Sequence, residues 1–133
     1  MEFKYYRRLP ADAVSIRDHV FIQEQGFAEE FDEIDNIAVH IVLYQDTVPI
    51  ATCRVFWDVQ KGSHVIGRIA VAKEYRGKSV GARLLKEAER QIAESGGKAV
   101  LLAAQKQAVG FYVKQGYSTT GAEFYEEHCA HIW

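Results

Sequence analysis

A short basic turn between a predicted strand and a predicted helix carries the clearest chemical signal in this sequence. The turn, residues 76–81 (RGKSVG), combines two cations with two glycines. An apolar segment at 69–72 precedes it, and a segment with helical periodicity follows. Such a strand–turn–helix directs backbone N–H groups and a helix N-terminus toward one point, where anions, above all phosphates, bind. The sequence therefore predicts a site for a phosphorylated ligand, although a plain strand–turn–helix without a ligand has the same local pattern.

The predicted helix after this turn has one apolar side and one charged side. Its apolar positions recur at helical spacing and are Val80, Leu84, Leu85, Ala88 and Ile92. Gly96 and Gly97 follow, which predicts the end of the helix there. The helix therefore has a face to bury and a fixed start beside the basic turn.

The remaining pattern predicts an α/β fold with a mixed, mostly antiparallel central sheet flanked by helices. The predicted strands are 3–9, 37–45, 48–59, 64–72, 98–104, 117–120 and 127–133, and the further helices are 10–25 and 106–115. The run at 98–104 is continuously apolar, which favours a strand buried on both faces. The acidic segment 27–36 is interpreted as a loop or a short helical turn.

Length and composition bound the possible functions. The 133 residues suit a single domain over 1–133. Lys plus Arg is 16 and Asp plus Glu is 18, so the net charge of −2 makes nucleic acid a poor partner. We expect no membrane span, because no apolar run reaches roughly 20 residues, and the N-terminus lacks a signal peptide's apolar core. With two cysteines and no disulfide framework, a cytoplasmic setting is expected.

A nucleotide-binding P-loop is the first alternative for the basic turn. Gly77, Lys78 and Ser79 match the end of G-x-x-x-x-G-K-[ST], but the first glycine of that pattern falls on Ala72. A P-loop switch would bind ATP or GTP with magnesium. The missing glycine disfavours it.

The second frame for the turn is Arg76-x-x-Ser79-x-Gly81, and it resembles the phosphate loop Arg/Gln-x-x-Gly-x-Gly/Ala of the GNAT superfamily of acyl-CoA N-acetyltransferases. Residues 108–117 (AVGFYVKQGY) resemble that superfamily's A-x-x-F-Y-x-x-x-G-F/Y segment. The two motifs stand in the right order, with room for one helix and one strand between them. Further matches are similar to the ElaA-like branch: Glu24-Gln25, Asp32 with Asp35, Ala104-Gln105, and Phe124-x-Glu126-x-x-x-x-His131. Ser79 and His128-Cys129 depart from these patterns.

The resemblance implies that acetyl-CoA is the cosubstrate. Its pyrophosphate would lie on the N–H groups of 77–81, with charge from Arg76 and Lys78, and its pantetheine would run beside the strand at 68–71 like an added strand. The implied cofactor-binding residues are Ile69, Ala70, Val71, Arg76, Gly77, Lys78, Ser79, Val80, Gly81, Ala82, Gln105, Phe111 and Tyr112.

The implied reaction is direct acetyl transfer to a primary amine of a small molecule or peptide. The amine must lose a proton, the oxyanion needs N–H donors, and the thiolate benefits from a proton. The resemblance implies Tyr112 as the general acid, whereas the alternative role is a core aromatic beside Phe111. Other functions left open are an amino-sugar-phosphate acetyltransferase on the same fold and a non-catalytic acyl-CoA-binding sensor.

The general base is less defined by the sequence. Glu24, Asp32, Asp35 and His131 are candidates, and a relay through water is an equal alternative. The acidic residues of 29–35 are interpreted either as solvated loop charges or as a surface that attracts a cationic amine.

No metal site is expected. His128, Cys129, His131 and Cys53 lack the paired cysteine spacing of zinc sites, and both thiols are interpreted as inert. Trp133 and the predicted C-terminal hairpin could offer an apolar contact for a homodimer.

Overall fold

The computed structural model describes residues 1–133 and divides the chain into two compact units, Met1–Val100 and Leu101–Trp133. A single domain over 1–133 stays a prediction.

A five-stranded sheet forms the centre of the first unit, with its strands side by side in sequence order. The strands are β1 (Glu2–Tyr6), β2 (Val39–Gln45), β3 (Val48–Asp58), β4 (Ser63–Val71) and β5 (Val100–Leu101). The first four pair antiparallel with one another. The predictions for these four are confirmed, although β1 ends at Tyr6 rather than at residue 9.

The centre of this sheet is buried because its two longest apolar runs lie in the middle. Residues 40–44 in β2 and 50–55 in β3 are all buried. The connections occur where left-handed backbone is available: Asp46 has φ +58° between β2 and β3, and Gly62 has φ +60° between β3 and β4. Short turns of this kind fix which strands become neighbours.

The first helix changes geometry half-way. The α-helix α1 (Ala11–Arg17) continues directly into a seven-residue π-helix (Asp18–Glu24), in which the Gln25 N–H reaches back five residues to the Val20 carbonyl. The helical span predicted for 10–25 is confirmed, but its π geometry was not predicted. The side chains of Ala13, Ile16, Val20 and Phe21 are buried.

The second helix, α2 (Val80–Glu94), buries all five of its predicted apolar residues and packs on β3 and β4. It ends as predicted: the Gly97 N–H bonds to the Ile92 carbonyl at 2.9 Å. A side chain at 97 would meet Ile92 and the His64 ring, so only glycine fits there. No helix of the protein combines the length and the apolarity that a membrane crossing needs.

The second unit contains a three-stranded antiparallel sheet in the order β6–β8–β7. Its elements are β6 (Ala104–Gln105), a 3₁₀ turn (Lys106–Ala108), α3 (Val109–Lys114), β7 (Phe124–Glu126) and β8 (Cys129–Ile132). The predicted helix at 106–115 is confirmed as the turn plus α3.

Two strand predictions near this unit are wrong. The run 98–104 is not one strand buried on both faces, because β5 and β6 are separate two-residue strands and most of the run is only partly buried. Residues 117–120 form no strand, and residues 118–120 are exposed. Here the Tyr117 N–H turns back to the Tyr112 carbonyl. The hairpin partner of β8 is therefore β7, and these strands form a sheet of their own.

Candidate active site

The predicted strand–turn–helix is present, and two left-handed residues shape its loop. β4 ends at Val71, a 3₁₀ turn (Lys73–Tyr75) follows, and α2 begins at Val80. Gly77 has φ +76°, and Ser79 has φ +62° and ψ +17°. Left-handed backbone costs an ordinary residue about 1–2 kcal/mol and glycine almost nothing. These two residues turn the chain sharply from strand into helix.

The N-terminus of α2 has no side-chain cap. Ser79 occupies the capping position, yet its side chain accepts no hydrogen bond from the helix. A capping serine normally has extended backbone, and the left-handed conformation of Ser79 accounts for the difference. The first intrahelical bond joins the Arg83 N–H to the Ser79 carbonyl at 3.1 Å. The N–H groups from Val80 to Ala82 precede it, at the positive end of the helix, and favour an anion.

The two cations of the loop have different surroundings. Lys78 is exposed, with its Nζ 5.8 Å from the centroid of the Tyr75 ring. Arg76 donates to Glu24 through Nη1 (3.1 Å) and Nη2 (2.6 Å), and its Nε donates to the Val71 carbonyl at 3.0 Å. The hydrogen bonds from Arg76 lower the pKa of Glu24. Glu24 is therefore a poor acceptor for a substrate proton.

A β-bulge precedes the part of β4 that leads into the loop. Thr52 pairs with Ala70 and Arg54 pairs with Gly67, so two steps along β3 correspond to three along β4. Arg68 lies in this interval with φ +50°. One extra residue on one strand defines a bulge, which bends the strand and re-aims its side chains.

The second edge of β4 is largely without a strand partner. β4 has nine residues, and its neighbour on the side away from β3 is β5, which has two. Ile69 and Val71 are half-buried and Ala70 is buried. Backbone groups along such an edge can pair with an extended ligand.

Six charged side chains of the first unit form what we call the arginine–carboxylate cluster. Its members are Arg17, Glu30, Asp32, Asp35, Arg54 and Arg68. Four of them are buried: Arg17, Glu30, Asp35 and Arg54. The cluster joins α1, the 30–35 segment, β3 and β4.

Asp35 lies at the centre of the cluster. Its carboxylate accepts from Arg17 (2.8 and 3.1 Å), from Arg54 (2.9 Å) and from the Asp32 backbone N–H (3.1 Å). Asp32 in turn binds Arg54 through two bonds (2.6 and 3.1 Å). Asp32 caps a 3₁₀ helix (Glu33–Asn36) that contains Asp35, which confirms the predicted helical turn.

Glu30 holds the other side of the cluster. Its carboxylate pairs with Arg68, and its carbonyl accepts from Arg68 Nε and Arg17 Nη2, each at 3.1 Å. Burial raises the pKa of Glu30 to about 7, against the pull of Arg68 and Arg17. The interpretation of the acidic segment as solvated charges is therefore wrong for Glu30 and Asp35. Both side chains are buried and form ion pairs with arginines from distant elements.

These contacts argue against Asp35 as a general base. Burial alone would raise its pKa, but hydrogen bonds from Arg17 and Arg54 outweigh burial and lower the pKa to about 2. A carboxylate whose pKa is so low holds a proton weakly at neutral pH. Its oxygens are also occupied by donors.

Sequence reasoning missed the arginines, although a signal was present. Arg17 follows Ala13 by four residues and precedes Val20 by three, so it falls on the apolar stripe of α1. Arg54 interrupts the apolar centre of β3. A charge in an apolar stripe needs a buried partner, so the pattern could have predicted ion pairs, but not which acids supply them.

In the second unit, Tyr112 lies on α3 and is half-buried. Its ring makes edge-to-face contacts with Phe111 and Tyr117, at centroid distances of 5.1 and 6.1 Å. Phe111 is more exposed, at 36%. The ring of Tyr112 is therefore fixed on two sides.

Gln105 and His131 are brought together by the pairing of β6 with β8, in which they are direct partners. His131 is buried, and its Nδ1 lies 3.0 Å from the Cys129 carbonyl. Because a carbonyl only accepts, Nδ1 carries hydrogen. The other nitrogen, Nε2, lies 3.5 Å from a Glu126 carboxylate oxygen.

The ring of His131 also stacks on Phe124, with centroids 5.7 Å apart. The ring is therefore held on one face by Phe124 and at Nδ1 by the Cys129 carbonyl. Nε2 is the ring nitrogen that faces the Glu126 carboxylate.

The cysteines are poor nucleophiles by their surroundings. Cys53 is fully enclosed, and burial raises the pKa of its thiol to about 12. Burial also raises the pKa of Cys129. No three His, Cys, Asp or Glu side chains come together in an arrangement that could hold a metal ion.

Comparison with known proteins identifies relatives. Residues 10–133 match the family model described as the acetyltransferase (GNAT) domain. The uncharacterized N-acetyltransferase YjcF of Bacillus subtilis (strain 168) is 36% identical over 124 residues, which cover 91% of this chain and 87% of YjcF.

The fold recurs in crystal structures. An acyl-CoA N-acyltransferase from Pseudomonas aeruginosa and ElaA from Escherichia coli superpose with TM-scores of 0.85 and 0.86. Each is 22% identical to this chain, and each superposition includes 99% of this chain and 97% of the crystal structure's chain. The resemblance inferred from the two motifs is confirmed, as is the fold class. The chain belongs to the GNAT family, which transfers acyl groups from acyl-CoA, and is an acetyltransferase.

Proposed function

We propose that this enzyme transfers an acetyl group from acetyl-CoA to a primary amine of a small molecule or peptide by direct attack. The observation that carries the proposal is the uncapped N-terminus of α2 directly after the left-handed loop residues Gly77 and Ser79. Backbone N–H groups there suit a diphosphate. Coenzyme A is the diphosphate that the family uses.

The pyrophosphate would bind the N–H groups from Gly77 to Ala82, with Lys78 as the exposed cation. The uncapped helix supports this, because the Ser79 side chain takes none of the donors at the helix N-terminus. Val80 is buried under the helix start. Its side chain would hold the loop on the core, and only its backbone N–H would face the ligand.

The pantetheine would extend along Ile69–Val71. The largely unpaired second edge of β4 supports this placement, since an extended amide chain can pair there as a strand does. The bulge at Arg68 separates this edge from the regular part of β4. The resemblance also implies cofactor contacts for Gln105, Phe111 and Tyr112, which belong to the second unit.

The chemical step makes a C–N bond and breaks a C–S bond. The lone pair of the neutral amine attacks the thioester carbon, the carbonyl oxygen carries the negative charge, and the thiolate leaves. Tyr112 would donate its phenolic proton to the departing sulfur. A phenol suits this role because it is protonated at neutral pH, with a reference pKa of about 10.

Removal of the amine proton would fall to His131 or to a water relay. Glu24 and Asp35 are less suitable, because each is bound by arginine. His131 keeps one nitrogen, Nε2, beside Glu126. We therefore favour His131 among the candidate side chains.

Thermal unfolding with and without ligands tests the proposal. A ligand that binds the folded state alone stabilises it by about 2.7 kcal/mol at 100 times its Kd. Acetyl-CoA should raise the Tm, and ATP with magnesium should not. Steady thiol release with a panel of amines should then identify the acceptor class. Equal shifts from both ligands, or none from acetyl-CoA, would exclude the proposed cofactor.

A further inference from the structure

Arg76, the first residue of the phosphate loop, is occupied by the protein itself. A guanidinium carries five N–H donors, and three of Arg76's are taken: Nε by the Val71 carbonyl, and one on each Nη by Glu24. The carboxylate binds both terminal nitrogens, the geometry by which arginine usually holds a phosphate. Glu24 thus fills the edge that an incoming phosphate would need.

The partner of Arg76 comes from a distant and unusual part of the chain. Glu24 is the last residue of the π-helix, 52 positions before Arg76. The Arg76 side chain therefore links three elements: the π-helix, the end of β4 and the start of the loop. Lys78, which is also exposed, lies beside the Tyr75 ring rather than beside a carboxylate.

Electrostatics favour keeping this link when a phosphorylated ligand binds. If Arg76 turned to the phosphates, the Glu24 carboxylate would be left unpaired near two phosphate charges, and like charges at short range repel. If the pair stays intact, Arg76 instead fixes the backbone from Val71 to Gly77. Loop N–H groups that are already held in place bind a phosphate without the entropy cost of ordering the loop.

We propose that Glu24 is a positioning residue for the phosphate loop: it holds Arg76 as a brace between the π-helix and β4, and Arg76 does not contact the phosphates. This inference rests on the proposed function. It assigns recognition of the phosphates to the loop N–H groups and Lys78.

The effect of Glu24→Gln on acetyl-CoA affinity distinguishes a brace from a direct contact. A brace predicts weaker binding, whereas direct contact of Arg76 with the phosphates predicts unchanged or tighter binding. Calorimetric titration with acetyl-CoA would compare wild type, Glu24→Gln, Arg76→Met and the double variant. A brace predicts that each single variant weakens binding by about five- to tenfold and that the double variant is no weaker than either single, since both break the same interaction. The KM for acetyl-CoA should rise by the same factor, while kcat at saturating acetyl-CoA and the KM for the amine stay unchanged. A general loss of structure would change all three.

A matched control exists on α2. Glu87 accepts two bonds from Arg90, at 2.9 and 2.6 Å, away from the loop. Glu87→Gln should leave acetyl-CoA affinity unchanged. Lys78→Gln combined with Glu24→Gln should weaken binding by the product of the single effects, because the two act independently.

Two outcomes would overturn the brace. Wild-type or tighter binding by Glu24→Gln together with weaker binding by Arg76→Met would show that Arg76 meets the phosphates and that Glu24 only competes for it. Equal loss in Glu87→Gln would show that any lost ion pair has the same effect. Folded wild-type protein that binds no acetyl-CoA would instead overturn the proposed function, and this inference with it.

Discussion

Arg17 and Asp35 are joined by two hydrogen bonds, 2.8 and 3.1 Å long, although they lie 18 positions apart. Both are almost fully buried, at 1% and 4% exposure. The pair fastens the acidic segment to α1. Because a buried ion pair replaces the hydration that both charges lose, removing one partner leaves the other unpaired.

Asp35→Asn should therefore destabilise the protein strongly. Breaking a buried pair from one side typically costs about 3–5 kcal/mol, and here Arg54 also loses one of its two carboxylate partners. Urea unfolding measures the free energy. Glu33→Gln, an exposed acid in the same turn, is the control and should change little. A loss below about 1 kcal/mol for Asp35→Asn, the range of surface pairs, would contradict the role given to this contact.

The pKa of Asp35 also predicts how stability depends on pH. Its folded pKa, about 2, lies below the ordinary aspartate value of 3.8, so below pH 4 the unfolded state binds more protons. Its contribution is therefore present above pH 4 and is lost as the pH falls from about 4 to 2. The shift corresponds to about 2 kcal/mol. Unfolding free energies measured across this range should show the loss in wild type and a smaller loss in Asp35→Asn; equal slopes would argue against it.

The sequence was sufficient for the parts of the fold that depend on local pattern. The apolar stripe from Val80 to Ile92 located α2, and turn residues such as Gly62 separated the strands. The arginine–carboxylate cluster escaped prediction, since Arg68 and Glu30 lie 38 positions apart and only the folded sheet brings them together. No local pattern encodes such a contact.

The loop residue Ser79 yields a stability prediction. Its φ of +62° is strained for serine, so Ser79→Gly should raise the free energy of unfolding by about 0.5–1 kcal/mol, the relieved strain less the entropy that glycine adds to the unfolded chain. Acetyl-CoA affinity should not fall. Ser118→Gly is the control, because Ser118 has no positive φ and should gain nothing. Weaker cofactor binding in Ser79→Gly would mean that the hydroxyl itself takes part in binding.

Tyr112 yields a kinetic prediction. Tyr112→Phe keeps the ring contacts with Phe111 and Tyr117 and removes only the hydroxyl, so kcat should fall by about 10²-fold, the usual scale of general-acid assistance. The Kd for acetyl-CoA and the Tm should hardly change. Tyr125→Phe, an exposed tyrosine of the same unit, is the control. Wild-type turnover where chemistry limits the rate, or a loss of Tm that parallels the loss of activity, would make Tyr112 a packing residue.

The candidate site was predictable only where a motif carried it. The loop at 76–81 and the Phe111–Tyr112 pair stood out by residue type and spacing. Glu24 and Asp35 matched a pattern too, but no spacing reveals that Arg76 pairs with Glu24 and Arg17 with Asp35. The hairpin of β7 and β8 was misplaced because Tyr117 looked like a strand residue, whereas its N–H closes the end of α3.

The bulge in β4 accommodates one extra residue without changing which β3 residues its two flanks pair with. A chain one residue shorter between Gly67 and Ala70 could pair regularly with β3. Ala70 and Val71 would keep their β3 partners, Thr52 and Ala51, so the loop would stay in place, but the strand would lose the bend and the re-aimed Arg68 side chain that the bulge provides. Homologues of this enzyme should therefore tolerate insertions in the β3–β4 turn far more readily than a change of one residue at Arg68.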